Sequence, residues 1–320
     1  MKAIVCSSYG RPDVLELAEV EKPALADDLV LVKVRAASVN PADWYGVAGP
    51  LIVRPSTGLF KPRSDRTGID FAGTVEAVGK NVTHVSPGDD VFGARSGALA
   101  EYVTVRDAVV AKPANLTFEE AAAVPVAAIT ALQGLRDKGQ QQAGQRVLIN
   151  GGSGGVGTFA IQIAKARGAE VTAVCSTGNV EQARSLGADH VVDYTREDFT
   201  HSDRRYDLLL DVAGGKSWSQ LRRVLTQDAT VVIVGAQKRR LVGPIGHIVR
   251  LRVASLLRGS QKAVFFIAKT NRADMEILRA LLETGKVKPV VDRKYELAET
   301  ADAFRYLGEG HARGKVIVTV

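Results

Sequence analysis

Over the first third of the chain, apolar and polar positions alternate in short runs punctuated by glycine and proline. Lys2–Ser7, Val14–Val20, Leu29–Val39, Ile69–Val78 and Glu101–Val105 carry this strand pattern, which predicts a compact β-rich domain of barrel type. Arg54–Arg66, basic and broken by proline and glycine, predicts an exposed loop long enough to wall a binding cleft. The pattern changes at Thr117, where Glu119 and Glu120 mark the first turn of a helix. A helical run then continues to Lys138 across Pro125 as a bridge to a second domain. Beyond it, short apolar strands alternate with helical spacing. Strands are predicted at Val147–Asn150, Val171–Val174, His190–Asp193, Asp207–Val212, Ala229–Gly235 and Ala263–Ile267, with helices at Thr158–Arg167 and Ser217–Leu225.

This alternation predicts an α/β fold: a Rossmann doubly wound, parallel six-stranded sheet beside the β-rich domain. The rest of the chain reads as helix Arg272–Thr284, strand Val287–Val291, helix Glu299–Leu307 and strand Lys315–Val320. These elements do not easily extend a finished six-stranded sheet, so the chain is expected to return to its first domain. The expected division is 1–122 with 269–320 for the β-rich domain, and 123–268 for the nucleotide domain.

The chemistry is clearest after the strand Val147–Asn150. There Gly151-Gly152-Ser153-Gly154-Gly155-Val156-Gly157 opens a helix, and Gly152, Gly154 and Gly157 match G-x-G-x-x-G. The first glycine permits a tight turn, the second lets a pyrophosphate approach the backbone, and the third lets helix and strand pack closely. Unpaired N–H groups at the helix start then face the phosphates. A dinucleotide site follows from this βαβ context, since a glycine-rich turn alone is often only a turn.

The second strand of that unit bears on the choice of dinucleotide. Units selective for NADH place an acid about 20 residues past the glycines to bind the ribose 2′-hydroxyl. Here the strand ends Cys175-Ser176-Thr177-Gly178-Asn179, with no carboxylate to repel a phosphate. Ser176 and Thr177 can donate to a 2′-phosphate, which favours NADPH, and either can also cap a helix.

Composition changes the picture little. With 320 residues and 46% hydrophobic content the chain can build two cores, and no apolar run reaches membrane-spanning length. No signal-peptide pattern precedes the first strand, so a cytoplasmic protein is expected. Cys6 and Cys175 are the only cysteines, too few for a disulfide framework. The net charge of +7 suits an anionic cofactor without invoking nucleic acid. Arg239–Lys262 is a basic amphipathic helix candidate, in which Ile245, Ile248, Val249, Leu251, Val253, Leu256 and Leu257 interleave with Arg250, Arg252 and Arg258. A crossover helix on the sheet is the first reading, and a peripheral membrane or partner surface the second.

Several strings, in order, carry a resemblance. They are Ser38-Val39-Asn40-Pro41-Ala42-Asp43-Trp44, the run from Gly68-Ile69-Asp70-Phe71 to Gly79, Pro87-Gly88-Asp89-Asp90-Val91, Ala122-Ala123-Val124-Pro125 and Gly314-Lys315-Val316-Ile317-Val318. Together they resemble the zinc-free quinone oxidoreductase branch of the medium-chain dehydrogenase/reductase superfamily, near the chloroplast-envelope quinone oxidoreductase homologues and their bacterial relatives. That resemblance implies a GroES-like barrel for the first domain. Zinc alcohol dehydrogenases of the superfamily place a cysteine where this chain has Asn40, and Gly-His-Glu where it has Gly68-Ile69-Asp70. An isoleucine has no lone pair to give a metal, so no metal ligands are expected.

The resemblance further implies NADPH held by Gly152, Ser153, Gly154, Gly155, Val156 and Gly157, with Tyr194 beside the 2′-phosphate. The family lysine shortly after the serine is not evident. Asn40 and Thr130 would stand by the nicotinamide, with Ala213, Gly235, Phe265 and Phe266 completing the pocket and Lys315, behind Gly314, reaching the cofactor. Hydride would pass to a quinone or to the β-carbon of an enone, and Asn40 or Tyr45 would donate to the developing enolate oxygen. A homodimer joined through Ala263–Ile267 is also implied. Two other readings stay open: a zinc-independent alcohol dehydrogenase, and a nucleotide-binding protein that associates with RNA, a membrane or a partner through Arg239–Lys262.

Overall fold

The computed structural model describes residues 1–51, 54–235, 245–256 and 260–320. They form two compact units, 1–129 with 270–285 and 289–320, and 130–269 with 286–288. In chain order the first unit begins with β1 (Lys2–Cys6), β2 (Leu15–Glu19), β3 (Val30–Val39), α1 (Pro41–Ala48), α2 (Arg54–Thr57) and β4 (Asp70–Val78). It continues with β5 (Asp90–Ala94), β6 (Tyr102–Val105), β7 (Val109–Ala111) and α3 (Phe118–Ala122); α4 (Pro125–Gln133) then crosses the boundary between the units. The second unit holds β8 (Arg146–Asn150), α5 (Gly155–Ala166), β9 (Glu170–Cys175), α6 (Val180–Ser185), β10 (His190–Asp193) and β11 (Tyr206–Asp211). After them come α7 (Trp218–Leu221), β12 (Leu225–Ile233), α8 (Ile245–Leu256) and β13 (Lys262–Phe265). The last elements, α9 (Arg272–Glu283), β14 (Val291–Glu296), α10 (Thr300–Glu309) and β15 (Lys315–Thr319), belong to the first unit.

The first unit is organised on β3, whose ten residues bury all but Lys33 and Arg35. It pairs antiparallel with β4, β6 and β15 within a seven-stranded sheet of order β14-β15-β3-β4-β5-β7. Two register shifts between β3 and β4 increase the local twist, as bulges do in sheets that curl. One apolar cluster fills the β3-β4-β5-β6 side around Phe71, Val75 and Val103. A second joins α1, α10 and β15 around Val47, Phe304 and Val316.

The second unit carries a parallel six-stranded sheet of order β10-β9-β8-β11-β12-β13. Strand order reverses between β8 and β11, the switch point at whose carboxyl edge open α/β sheets bind ligands. Within it α5 buries Phe159, Ile161 and Ile163 completely. In α8, Leu251 joins the core with Ala254 packed beside it, while Arg252 faces solvent. The described part of the basic stretch is therefore a helix with one face in the core; residues 239–244 and 257–259 lie outside the described residues.

Three predicted spans differ from the fold. The helix expected over Ser217–Leu225 is α-helical to Leu221 and tightens to a 3-10 turn over Arg222–Val224, ending one residue short of the prediction because Leu225 pairs with Tyr206 in the sheet. The strand expected at Val287–Val291 begins instead at Val291, where pairing with Lys315 starts. Pro289 has no N–H to offer a ladder, and Lys288 gives its N–H and carbonyl to the Gln162 amide at 2.8 and 2.9 Å. Arg54–Arg66 opens with the one-turn helix α2. Among the described residues no helix is long and apolar enough to cross a membrane.

Phe304 is fully buried in the α10 cluster. Phe304→Ala is expected to cost about 3–5 kcal/mol in urea denaturation, and a loss below about 1 kcal/mol would show that α10 is not held by this contact.

Candidate active site

In the nucleotide unit, β8 ends at Asn150 and the chain turns at Gly151, whose φ of 96° suits only glycine. Gly157 packs so close that a Cβ there would lie 2.0 Å from the Gly151 carbonyl oxygen, whereas at Gly154 the nearest atom would be 4.0 Å away. The glycines therefore divide the work: Gly157 closes helix against turn and Gly154 leaves an open approach. Gly154 is the N-cap of α5 and offers no side chain to cap it. Among the described residues, the N–H groups of Gly155, Val156 and Gly157 meet no protein acceptor. Three converging donors and the positive end of a twelve-residue helix fit a pyrophosphate. Ser153 sits half-exposed in the same turn.

Ala213 and Gly235 follow the ends of β11 and β12 at the same edge of the sheet. A Cβ on Gly151 would touch Ala213 at 3.1 Å, and one on Gly235 would meet the Val212 carbonyl oxygen at 2.4 Å. Phe265 ends β13, half-buried against the core. Phe266 turns its ring to the α4 terminus, 3.5 Å from where a Gly134 Cβ would stand. Thr130 is half-buried on α4.

The loop after β9 departs from the sequence reading. No carboxylate was expected there, yet Asp193, from the end of β10, accepts from the Thr177 hydroxyl at 2.5 Å and from the Thr195 hydroxyl at 2.7 Å. These bonds, led by Thr177, hold its carboxyl below the usual carboxylate range. Thr177 has thus spent its donor. Ser176 accepts from Asn179 at 3.0 Å and keeps its own proton to give. Tyr194 is 61% exposed, and its backbone N–H bonds the Cys175 carbonyl at 3.0 Å. Arg196, 77% exposed, holds its Nε 3.6 Å from Asp193. Neighbourhood in sequence hides Asp193, since β10 lies beside β9 only once the sheet order is known.

The other site belongs to the first unit. Gly314, at φ 134°, approaches the Val290 carbonyl so closely that a Cβ would lie 2.4 Å from its oxygen, and this sets the path of β15. Lys315, only 3% exposed, then extends its ammonium to the Asn40 side-chain oxygen and to Asp70 Oδ2, the latter at 3.1 Å. Asp70 is fully buried and takes further bonds from the Ser38 hydroxyl, the Asn40 amide and the Val126 N–H. Asp43 accepts from the Asn40 backbone N–H at 2.8 Å and more weakly from its side-chain amide at 3.3 Å.

The knot occupies the polar groups of Asn40 and Lys315. A cation on Oδ1 and carboxylates near Nδ2 fix the Asn40 amide in one orientation, and both of its amide protons point at Asp70 and Asp43. Asn40 has no donor left for an enolate oxygen. Lys315, expected to reach a cofactor, is committed inside the first unit. Tyr45 is half-buried and stacks edge-on to Trp44, and burial pushes its hydroxyl up, so it keeps its proton. Burial, reinforced by Asp70 and opposed by the Asn40 N–H and Lys315, pushes the Asp43 carboxyl up to about 7.

The chain matches the family described as alcohol dehydrogenase GroES-like domain over residues 26–115 and that described as zinc-binding dehydrogenase over 186–318. It is 36% identical over 334 residues to the 2-methylene-furan-3-one reductase of Solanum lycopersicum, covering 99% of this chain and 79% of that one. It is also 36% identical over 338 residues, with the same coverage, to the chloroplastic NADPH-dependent alkenal/one oxidoreductase of Arabidopsis thaliana. Among solved structures, the quinone oxidoreductase from Coxiella burnetii superposes with a TM-score of 0.87 at 31% identity, covering 100% of this chain and 99% of that one.

Two outcomes follow from the geometry. Gly157→Ala forces its Cβ onto the Gly151 carbonyl, so dinucleotide affinity measured by calorimetry is expected to drop about tenfold or more; unchanged affinity would remove the cradle. Asp43 binds its proton more tightly folded than unfolded, so folding becomes less favourable as pH rises from 3.8 to about 7. The melting temperature should therefore fall over roughly pH 4 to 7 and level off above it, and Asp43→Asn, which retains an acceptor for the Asn40 N–H, should flatten that fall.

Proposed function

Because the chain belongs to the medium-chain dehydrogenase/reductase superfamily, in its quinone oxidoreductase and alkenal/enone reductase branch, we propose that it reduces quinones or α,β-unsaturated carbonyl compounds with NADPH. One observation carries the reading: the open N–H cradle of α5, in a chain that aligns over 99% of its length with an NADPH-dependent alkenal/one oxidoreductase. NADPH, when bound, supplies the hydride.

The chain's own residues do the rest. Gly155, Val156 and Gly157 hold the pyrophosphate through backbone donors. Ser176 donates to the 2′-phosphate, with Tyr194 alongside. Arg196 leaves its 3.6 Å contact with Asp193 to supply the cation that the loop after β9 lacks. Asp193 is then the discriminating group, because without Arg196 its charge would oppose a phosphate.

At the acceptor, hydride adds to the β-carbon, the C=C electrons move to the carbonyl oxygen, and a proton completes the α-carbon. Tyr45 is the neutral donor for that oxygen, since Asn40 is spent. The reaction needs no metal. Ile69 offers no lone pair, the Asn40 oxygen already accepts from an ammonium, and Lys315 fills with positive charge the surroundings a divalent ion would need. Quinones and enones tolerate this because conjugation spreads the incoming negative charge. We further propose a cytoplasmic homodimer joined along the outer edge of β13, which among the described residues pairs only with β12.

NADPH consumption across a panel of quinones, alkenals and cyclic enones tests the activity. Binding of NADPH without turnover of any panel member would sink it. For the cofactor, Arg196→Gln is expected to weaken NADPH binding about tenfold while changing NADH binding less than about twofold, read by fluorescence titration. Equal effects on both would remove Arg196 from the phosphate site.

A further inference from the structure

We propose that the acceptor carries a carboxylate remote from its reacting double bond, and that Arg63 and Arg66 receive this group in a cleft of the first unit. The inference deepens the reductase reading above and rests on it. The cleft measures about 320 Å³, and its wall includes Asp43, Val47, Thr57, Arg63, Arg66 and Ile69. That volume is at the small end of ligand sites, enough for a small acceptor and too little for a nucleotide-sized carrier.

Its charge is lopsided. The charged lining residues are two guanidiniums and one carboxyl, Asp43. Burial keeps that carboxyl protonated to about pH 7, so near neutrality it offsets the arginines only in part. Neither arginine is well neutralised. Arg66 lies 3.8 Å from Asp65, too long for a hydrogen bond, and Asp65 is itself 63% exposed. Arg63 spends one nitrogen on the Pro55 carbonyl at 3.1 Å and, among the described residues, meets no carboxylate within 4.0 Å.

Both arginines stand on an anchored backbone rather than a free loop. Arg66 bridges to Val5 in β1, the Asp65 carbonyl accepts from the Cys6 N–H at 2.7 Å, and the Arg63 N–H bonds the Thr57 carbonyl at 2.7 Å. Ordinary solvated arginines do not need this. Two arginines lining one cleft with apolar Val47 and Ile69 suit a planar carboxylate on an apolar conjugated body.

The test compares trans-7-oxo-oct-5-enoic acid with its methyl ester, in which three methylenes insulate the carboxyl from the enone, so that the two differ in the remote charge alone. With NADPH and the full chain, the acid's KM is expected to lie about tenfold or more below the ester's, the scale of one charge-assisted pair. In the Arg63→Gln, Arg66→Gln double variant the acid's KM should rise at least about fivefold more than the ester's. Failure of the wild-type protein to reduce the acid, the ester or any member of the panel above would defeat the reductase reading itself. Reduction of the ester with no advantage for the acid, or an equal rise in both KM values in the double variant, would overturn the carboxylate site alone. Should the variant fail to fold, the wild-type comparison still decides, and competitive inhibition of the acid by benzoate, weaker against the ester, gives the second measurement.

Discussion

The first unit depends on one buried carboxylate. Asp70 has no exposure to water and collects donors from Ser38 at the end of β3, Asn40 ahead of α1, Lys315 at the start of β15 and Val126 in α4. Burying an ion costs several kcal/mol, and only satisfied geometry offsets that; breaking such a set by removing one partner costs about 3–5 kcal/mol. Four separate segments must therefore arrive together for Asp70 to be tolerable. This is why the last strand, far along the chain, lies against β3: its lysine is the counter-ion that the carboxylate needs.

The same knot decides what chemistry is left over. Asn40 is locked by charges at both ends of its amide and is a positioning residue. Two carboxyls face one ammonium, and burial, reinforced by the neighbouring Asp70 charge, pushes the Asp43 carboxyl up to about 7. Asp43 has two donors from a single residue, so its burial is poorly compensated. In the nucleotide unit the backbone does the corresponding work. Glycine withholds side chains so that N–H groups can face an anion, while Asp211 is buried against Asn150 and the Gly214 N–H at the same edge of the sheet.

These two sites were not equally legible in the sequence. The α5 cradle was, because its strand, glycines and helix are contiguous and glycine spacing has a direct steric meaning. The six parallel strands were also legible, each being a short apolar run. Asp193 was not, because it reaches Thr177 across the sheet from β10, and strand order is not written in local periodicity. The Asp70–Lys315 pair spans 245 positions, so Lys315 read alone suggested a solvent or cofactor cation. The strand misplaced near Val287 has another cause: Val287 is buried by tertiary contacts that follow neither a 2.0 nor a 3.6 period.

Protonation of Asp43 links the knot to the cleft it lines. Were that carboxyl ionised, it would stand as a second negative charge near any anionic acceptor and near the enolate that hydride addition creates. A protonated Asp43 removes both repulsions without discarding the carboxyl that caps Asn40 through its backbone N–H. An arriving carboxylate would in turn raise the Asp43 pKa further, since like charges disfavour one another. Binding of an anionic acceptor and retention of the Asp43 proton are therefore thermodynamically linked, and each strengthens the other. The surplus acid in the knot, which makes little sense as a device for stability alone, is consistent with a cleft that has to stay electropositive while negative charge accumulates in it.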